Sequence, residues 1–462
     1  MSNTGEYAAA AASASPPPPQ PHSATSGGTA VASRPAAGGA PAGAAGAAAV
    51  TQGDATQDPD RPAVYLGARD VPSGLARWQA LLTTGVIVWA LLTAALLGNS
   101  WDKTRSGAAN TAQVTRIHAI ESSLFQADAI ATNAFLVGGL ESVEQRQNYD
   151  AALEEVSRLI TESARAQPAD TAALVALNHE VLRYAEQMQQ ARANNRQGLP
   201  VGAQYLREAS QQLRSDILPI LVNLIDANTD RAAGSLSGHW TMLVALPGVG
   251  LIVVLLWFHQ QLAHLFRRRI NVGLAAAIGL LLVATVAAVA VTASVASDAN
   301  ALKRGEFATA SDVASARTAA NDAKSNESLR LIARGSGAKY EETWVAKDAE
   351  VVDLVEDRAK LADLWEEYRA GHAEIVAADE GGAWDKAVQL AVDREPGSVT
   401  ADFVEFDNEA QAQIGMANKA VVGTLNAGTI RTAIMVVAIV IAAGLALAAL
   451  SWGVTLRRKE FA

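Results

Sequence analysis

Four stretches of this chain carry no charged residue, and they constrain its fold more than anything else in it. They cover residues 81–98, 241–258, 270–295 and 432–454. Each is roughly 18 to 26 residues long, close to the ~20 that a helix needs to cross a hydrocarbon core. A soluble helix of that length would keep a polar face for water. None of the four does, so lipid is their expected surroundings. A backbone in lipid must satisfy its own hydrogen bonds, which selects the helix. A cleaved leader is not expected, because the first stretch follows more than 70 residues of other sequence.

The arginines and lysines set the expected orientation. Arg69 and Arg77 precede the first span, Arg267, Arg268 and Arg269 fill the link between spans two and three, and Arg457, Arg458 and Lys459 follow span four. Basic clusters stay in the cytoplasm, so both termini are expected inside and the two long loops outside. The expected plan is a cytoplasmic tail at 1–77, a first span at 78–98, an extracytoplasmic bundle at 99–240 and a second span at 241–258. A cytoplasmic link at 259–269, a third span at 270–295, a second bundle at 296–431, a fourth span at 432–454 and a stub at 455–462 complete it.

The tail is alanine, proline, glycine, serine and threonine with almost no large apolar residue, and Pro16 to Pro19 form a proline run. Such a composition cannot bury enough surface to offset the entropy of ordering, so disorder is expected. Both long loops read as helices. In the first, Ile117, Ile120, Leu124, Ala127 and Ala131 recur at helical spacing, as do Tyr149, Leu153, Val156 and Ile160, and Leu174, Leu177, Val181, Tyr184 and Met188. Leu206, Leu213, Ile217, Ile220 and Leu224 make a fourth stripe. Gly138-Gly139, Gln167-Pro168 and Gly198-Leu199-Pro200 separate them as turns. Four stripes and three short turns predict an up-down-up-down bundle.

The second loop repeats the plan. Leu354, Leu361, Trp365, Tyr368, His372 and Ile375 form one stripe, and Gly335-Ser336-Gly337, Gly381-Gly382 and Pro396-Gly397 supply turns. Between residues 296 and 430 it carries 25 acidic against 14 basic residues. The expected fold is an all-α membrane protein with four transmembrane helices and two tandem extracytoplasmic four-helix bundles, a duplicated span–bundle–span unit.

Residues that carry chemistry are sparse. There is no cysteine, which excludes disulfides, thiolate metal sites and a cysteine nucleophile. A formal net charge of −10 argues against nucleic acid as a partner. The histidines are His22, His118, His179, His239, His259, His264 and His372. Asn178-His179-Glu180 starts like a zinc-hydrolase helix but has Arg183 where the second histidine belongs. His118 and His372 stand singly on bundle helices and read as packed or wet side chains. No catalytic, cofactor or metal residue is therefore assigned, no cofactor is expected, and a ligand site is not assignable from the sequence. Charge-free spans argue against an ion path. Pro247-Gly248-Val249-Gly250 marks a kink in span two, and the small residues Ala275, Gly279, Gly444 and Ala448 are candidates for close span packing.

The doubled pattern is Asp128-Ala129 followed by Phe135-Leu136, Gly138-Gly139 and Tyr149, then Asp322-Ala323 followed by Ser328-Leu329, Gly335 and Tyr340. On this pattern, over residues 78–462, the chain resembles the transmembrane component of an actinobacterial amino-acid-sensing system. That system works with a glutamine-binding-type lipoprotein and a cytosolic Ser/Thr kinase, protein kinase G. The resemblance implies a relay: an extracytoplasmic solute-binding lipoprotein senses amino acids, this chain carries the message, and the kinase answers. The bundles also resemble bacterial chemoreceptor sensor domains in architecture. The leading expectation is a sensor or relay without enzymatic activity, with membrane lipid, the lipoprotein, the kinase and a second copy of the chain as candidate partners. The alternatives are a structural or accessory envelope protein and, behind it, a transporter subunit.

Overall fold

The computed structural model describes residues 71–137, 141–237, 241–266 and 270–459. The tail, His22, His239, the Gly138-Gly139 turn and the Arg267–Arg269 link lie outside them. Every long element is helical, and no strand occurs among the described residues. α1 runs Val71–Leu136 without a break, from the first apolar stretch into the first bundle. α2 (Val143–Ala166), α3 (Thr171–Arg196), α4 (Val201–Gln212) and α5 (Leu218–Leu236) complete that bundle. α6 (Thr241–Phe266) and α7 (Val272–Arg304) carry the second and third apolar stretches. α8 (Glu306–Ile332), α9 (Ala338–Val355), α10 (Ala359–Glu380) and α11 (Trp384–Val392) follow. α12 runs Val399–Lys459, closing the second bundle and carrying the fourth stretch as one helix.

Local chemistry explains the boundaries. Ser142 and Gln145 form a reciprocal capping box at the start of α2. Pro168 opens the one-turn 3₁₀ segment before α3, where its missing N–H costs nothing. Asn271 caps α7 by accepting from the Leu274 N–H. Gly335, Gly382 and Gly397 take positive φ at helix ends, conformations open to glycine.

One helix boundary and one buried face differ from the sequence expectation. The stripe from Leu354 to Ile375 is not one helix: α9 ends at Val355 and α10 begins at Ala359, with no glycine or proline at the break. In the fourth stripe of the first bundle, Leu221 is fully buried and Ile220 is not. One turn of π-helix at Leu213–Ile217 causes this, because its wider pitch rotates everything after it.

Four helices carry segments long and apolar enough to cross a membrane, which marks a membrane protein. Trp89, Phe258, Leu281 and Ile439 pack in a shared core among them. Their outer faces are greasy: Leu91, Leu246, Val283 and Ile434 are each more than 60% exposed, a surface that water would penalise and lipid would not. α6 continues through Pro247. The close approach between α7 and α12 lies at Gly273 and Gly453. A Cβ on Gly273 would stand 2.5 Å from the Ala449 carbonyl and 2.6 Å from the Gly453 Cα. Gly279 and Gly444 meet nothing within 4 Å, so they do not serve the packing role expected of them.

The bundles do not stand apart. Leu329 of α8 and Tyr340 of α9 join the first bundle's core, while Leu136 of α1 joins the second's. α1, α8 and α12 therefore form a common wall. The arrangement is compatible with a doubled unit.

Candidate functional site

α8 is the centre of the second bundle, and its burial is unusual in kind. All sixteen residues from Ala316 to Leu331 are buried, although they include Arg317, Asn321, Asp322, Lys324, Asn326, Glu327 and Arg330. Buried charges persist only when paired and hydrogen-bonded. Each of these five charged side chains is.

The first knot joins the bundles. Arg214, on the π-helical turn, donates Nε to Asp322 (2.9 Å) and Nη1 to Asp128 (3.3 Å) and to the Ser210 carbonyl (2.6 Å). Asp128 is fully buried and also accepts from Ser325 (2.6 Å), Ser210 (2.7 Å) and the Tyr184 hydroxyl (3.2 Å). One guanidinium is thus clasped by an aspartate from each half of the chain, the same two residues that carry the repeated sequence pattern. Burial pushes the Arg214 guanidinium down, but Asp322 and then Asp128 overcome this and hold it above its usual value.

The second knot ties α8 to α12. Arg317 holds Asp407 through two parallel bonds of 2.7 and 2.8 Å, and Asn321 (2.8 Å) and Gln126 of α1 (3.3 Å) add to it. The third lies inside the second bundle, around Glu327. It accepts from Lys324 (2.7 Å) and Tyr368 (3.0 Å) and lies 2.9 Å from His372 Nδ1. His372 Nε2 faces Glu341 at 3.4 Å, and its ring stacks on Trp344 at 3.6 Å.

Burial pushes the Glu327 carboxyl up, but the Lys324 charge and then the His372 hydrogen bond bring it down to about 2. Burial pushes His372 down, and its hydrogen bonds to Glu327 and Glu341 overcome this and hold it above its usual value. A raised histidine stabilises the fold fully below its unfolded value of about 6.5 and loses that contribution as the pH climbs through the folded value. The gap in thermal midpoint between the wild-type chain and His372→Gln should therefore be widest below about pH 6.5 and narrow above it. A gap that stays constant from pH 6 to 9 would show that the imidazole is not protonated in the folded state.

Between the bundles lies a cavity of about 650 Å³. α1 and α8 make its floor, with buried His118, Ser122, Asn133, Arg317, Asn321 and Lys324. α2 and α12 make its walls, where Asn148, Ala151, Val404, Asn408 and Gln411 are exposed. The Thr115–Asn418 hydrogen bond (3.0 Å) closes the end nearer the apolar segments. At the far end, Asn133 and Thr400 both donate to the Ala391 carbonyl, at 2.8 and 2.7 Å, and Lys324 reaches Thr400 at 3.2 Å. The volume is that of a small-molecule site.

Of the histidines read from the sequence, the cavity takes in His118, with Nε2 3.4 Å from Ser311, and His372 belongs to the Glu327 knot. His179 is exposed beside Glu180. Sequence reasoning named Asp128 and Asp322 only as markers of the repeat, and it missed Arg214, Arg317 and Lys324. One signal was present: Asp128 falls inside the apolar stripe between Leu124 and Ala131, where a charge must find a buried partner.

An all-helical membrane protein with a cavity between two bundles is the class that the structure defines. Residues 103–237, the whole of the first bundle, match the family described as an actinobacterial sensor domain. The match supports a sensor protein of actinobacterial type and a role in sensing or signalling. No curated protein and no solved structure matches the chain.

Proposed function

We propose that this chain is a transmembrane sensor and relay without enzymatic activity of its own. In this reading both bundles lie outside the cell membrane and both termini inside. The observation that carries it is the continuity of α1 and α12, each one unbroken helix from a membrane-length apolar segment to the inter-bundle cavity. A change at the cavity would move these helices as rigid rods, because packed helices shift in small discrete steps. The input is an extracytoplasmic solute, amino acids delivered by a solute-binding lipoprotein, and the output is a cytosolic Ser/Thr kinase. The sensor-family match of the first bundle supports this reading.

The absence of cysteine makes the test clean. Gln411→Cys should react with an impermeant maleimide on intact cells, and His264→Cys only after permeabilisation. Thr115→Cys with Asn418→Cys places a lockable pair between α1 and α12. Oxidising it should abolish, and reducing it should restore, the change in cytosolic Ser/Thr phosphorylation that follows an amino-acid shift. A deletion strain with an unchanged phosphorylation response and altered cell shape would overturn the relay in favour of an envelope scaffold.

A further inference from the structure

We infer that the inter-bundle cavity binds a short peptide in extended form, with its free C-terminal carboxylate at the end remote from the apolar segments. This goes beyond the relay reading, since a chain could bind peptide without relaying anything.

Length comes first. The cavity follows α1 from Val114 to Asn133 and α12 from Thr400 to Asn418. At 1.5 Å per helical residue that is about 28 Å, room for roughly eight residues of extended chain at ~3.3 Å each. A single amino acid would occupy a small fraction of it.

The walls come second. Asn148 on α2 faces the cavity from one side, and Asn408 and Gln411 on α12 from the other. None of the three makes a hydrogen bond to another described residue. Each carboxamide offers a donor and an acceptor together, the pair that a peptide group complements. On the floor, the buried Asn321 Oδ1 has no hydrogen-bond partner and would accept from a ligand N–H. Alanines at 119, 129, 151, 310 and 314 leave room for side chains between these polar groups.

Charge comes third and gives direction. In the middle of the floor Arg317 is neutralised by Asp407. At the remote end Lys324 lines the cavity with two of its three donors used, on Glu327 and Thr400. Arg394 lines it too, only loosely matched by Glu144 at 4.0 Å. Asp393 and Glu395 flank Arg394 but do not line the cavity. A carboxylate terminus fits this end, and an amidated one does not.

The test uses the full chain in lipid nanodiscs. The probe is an equimolar mixture of N-acetylated octapeptides of Ala, Ser, Val and Asn with free C-termini. Peptides retained on dialysis are read by mass spectrometry. Retention above empty nanodiscs is expected. Amidated versions of the same mixture should be retained roughly tenfold less, the loss of one charge-assisted hydrogen bond, and Arg394→Gln should discriminate the two mixtures less. Ala151→Trp and Val404→Trp, on exposed wall positions, should abolish retention without moving the thermal midpoint. No retention by the wild-type chain, equal retention of acid and amide, retention undiminished in both tryptophan variants, or full displacement by a free amino-acid mixture would each overturn the proposal. The relay is read separately, by phosphorylation in cells.

Discussion

Arg214→Leu should cost about 3–5 kcal/mol, because it strands two buried carboxylates at once. Asp128 is fully buried and Asp322 is 3% exposed. Both meet the Arg214 guanidinium, and without it each must be desolvated uncompensated or take up a proton. Its hydroxyl and phenol donors, Ser210, Ser325 and Tyr184, would still satisfy Asp128 in part. Asp322 would keep only the Asn326 amide (2.8 Å). Thermal unfolding of the detergent-solubilised chain should show a midpoint roughly 10 °C lower. Adding Asp128→Asn and Asp322→Asn to Arg214→Leu should recover part of the loss, because uncharged amides do not need the guanidinium. A single-variant change below about 1 kcal/mol, or no recovery in the triple variant, would mean that Arg214, Asp128 and Asp322 do not act as one electrostatic unit. The knot also spans the two bundles, through Asp128 of α1 and Asp322 of α8.

Gly273→Val should cost about 2–4 kcal/mol in membrane-domain stability. The new Cβ would meet backbone, not a flexible side-chain tip: the Ala449 carbonyl at 2.5 Å, and Gly453 Cα and N at 2.6 and 2.7 Å. Backbone of two packed helices yields only by separation, and overpacking of this kind costs about 1–3 kcal/mol. Separation would also break the 3.1 Å bond from Asn271 Nδ2 to the Gly453 carbonyl, and inter-helical bonds in lipid average ~0.6 kcal/mol, with a ceiling near 1.7. Gly444→Val and Gly279→Val, with nothing within 4 Å, are the controls and should change the midpoint little. Equal effects at all three glycines, read by thermal unfolding in the same detergent, would show that the close α7–α12 approach is absent.

The same four glycines show where sequence reading stopped. Gly273, Gly279, Gly444 and Gly453 are equivalent in composition and lie in equally apolar surroundings. Which of them face a neighbour depends on the rotation of each span about its axis. Lipid and protein partners are both apolar there, so no pattern of polarity records that rotation. In the first bundle the reverse holds. Water on one side and core on the other impose a helical period, and the buried Ile117, Val156, Leu177 and Leu206 were legible from spacing alone. One exception, Leu221 in place of Ile220, follows from a π-turn that no residue type announces.

What the chain determined by itself is its set of membrane-length apolar segments, its helical content and most of its turns. These depend on local composition and on contrast between water and apolar surroundings. Only the tertiary structure decided that α8 would be buried on every side, its charged residues included. A helix whose burial is compensated by ion pairs has no dry stripe to reveal it. It also decided that Asp128 and Asp322, 194 positions apart, would meet on one arginine, and that two bundles would enclose a cavity. Those outcomes are set by which helix faces which, a long-range choice made by packing and charge pairing and absent from any local window of the sequence.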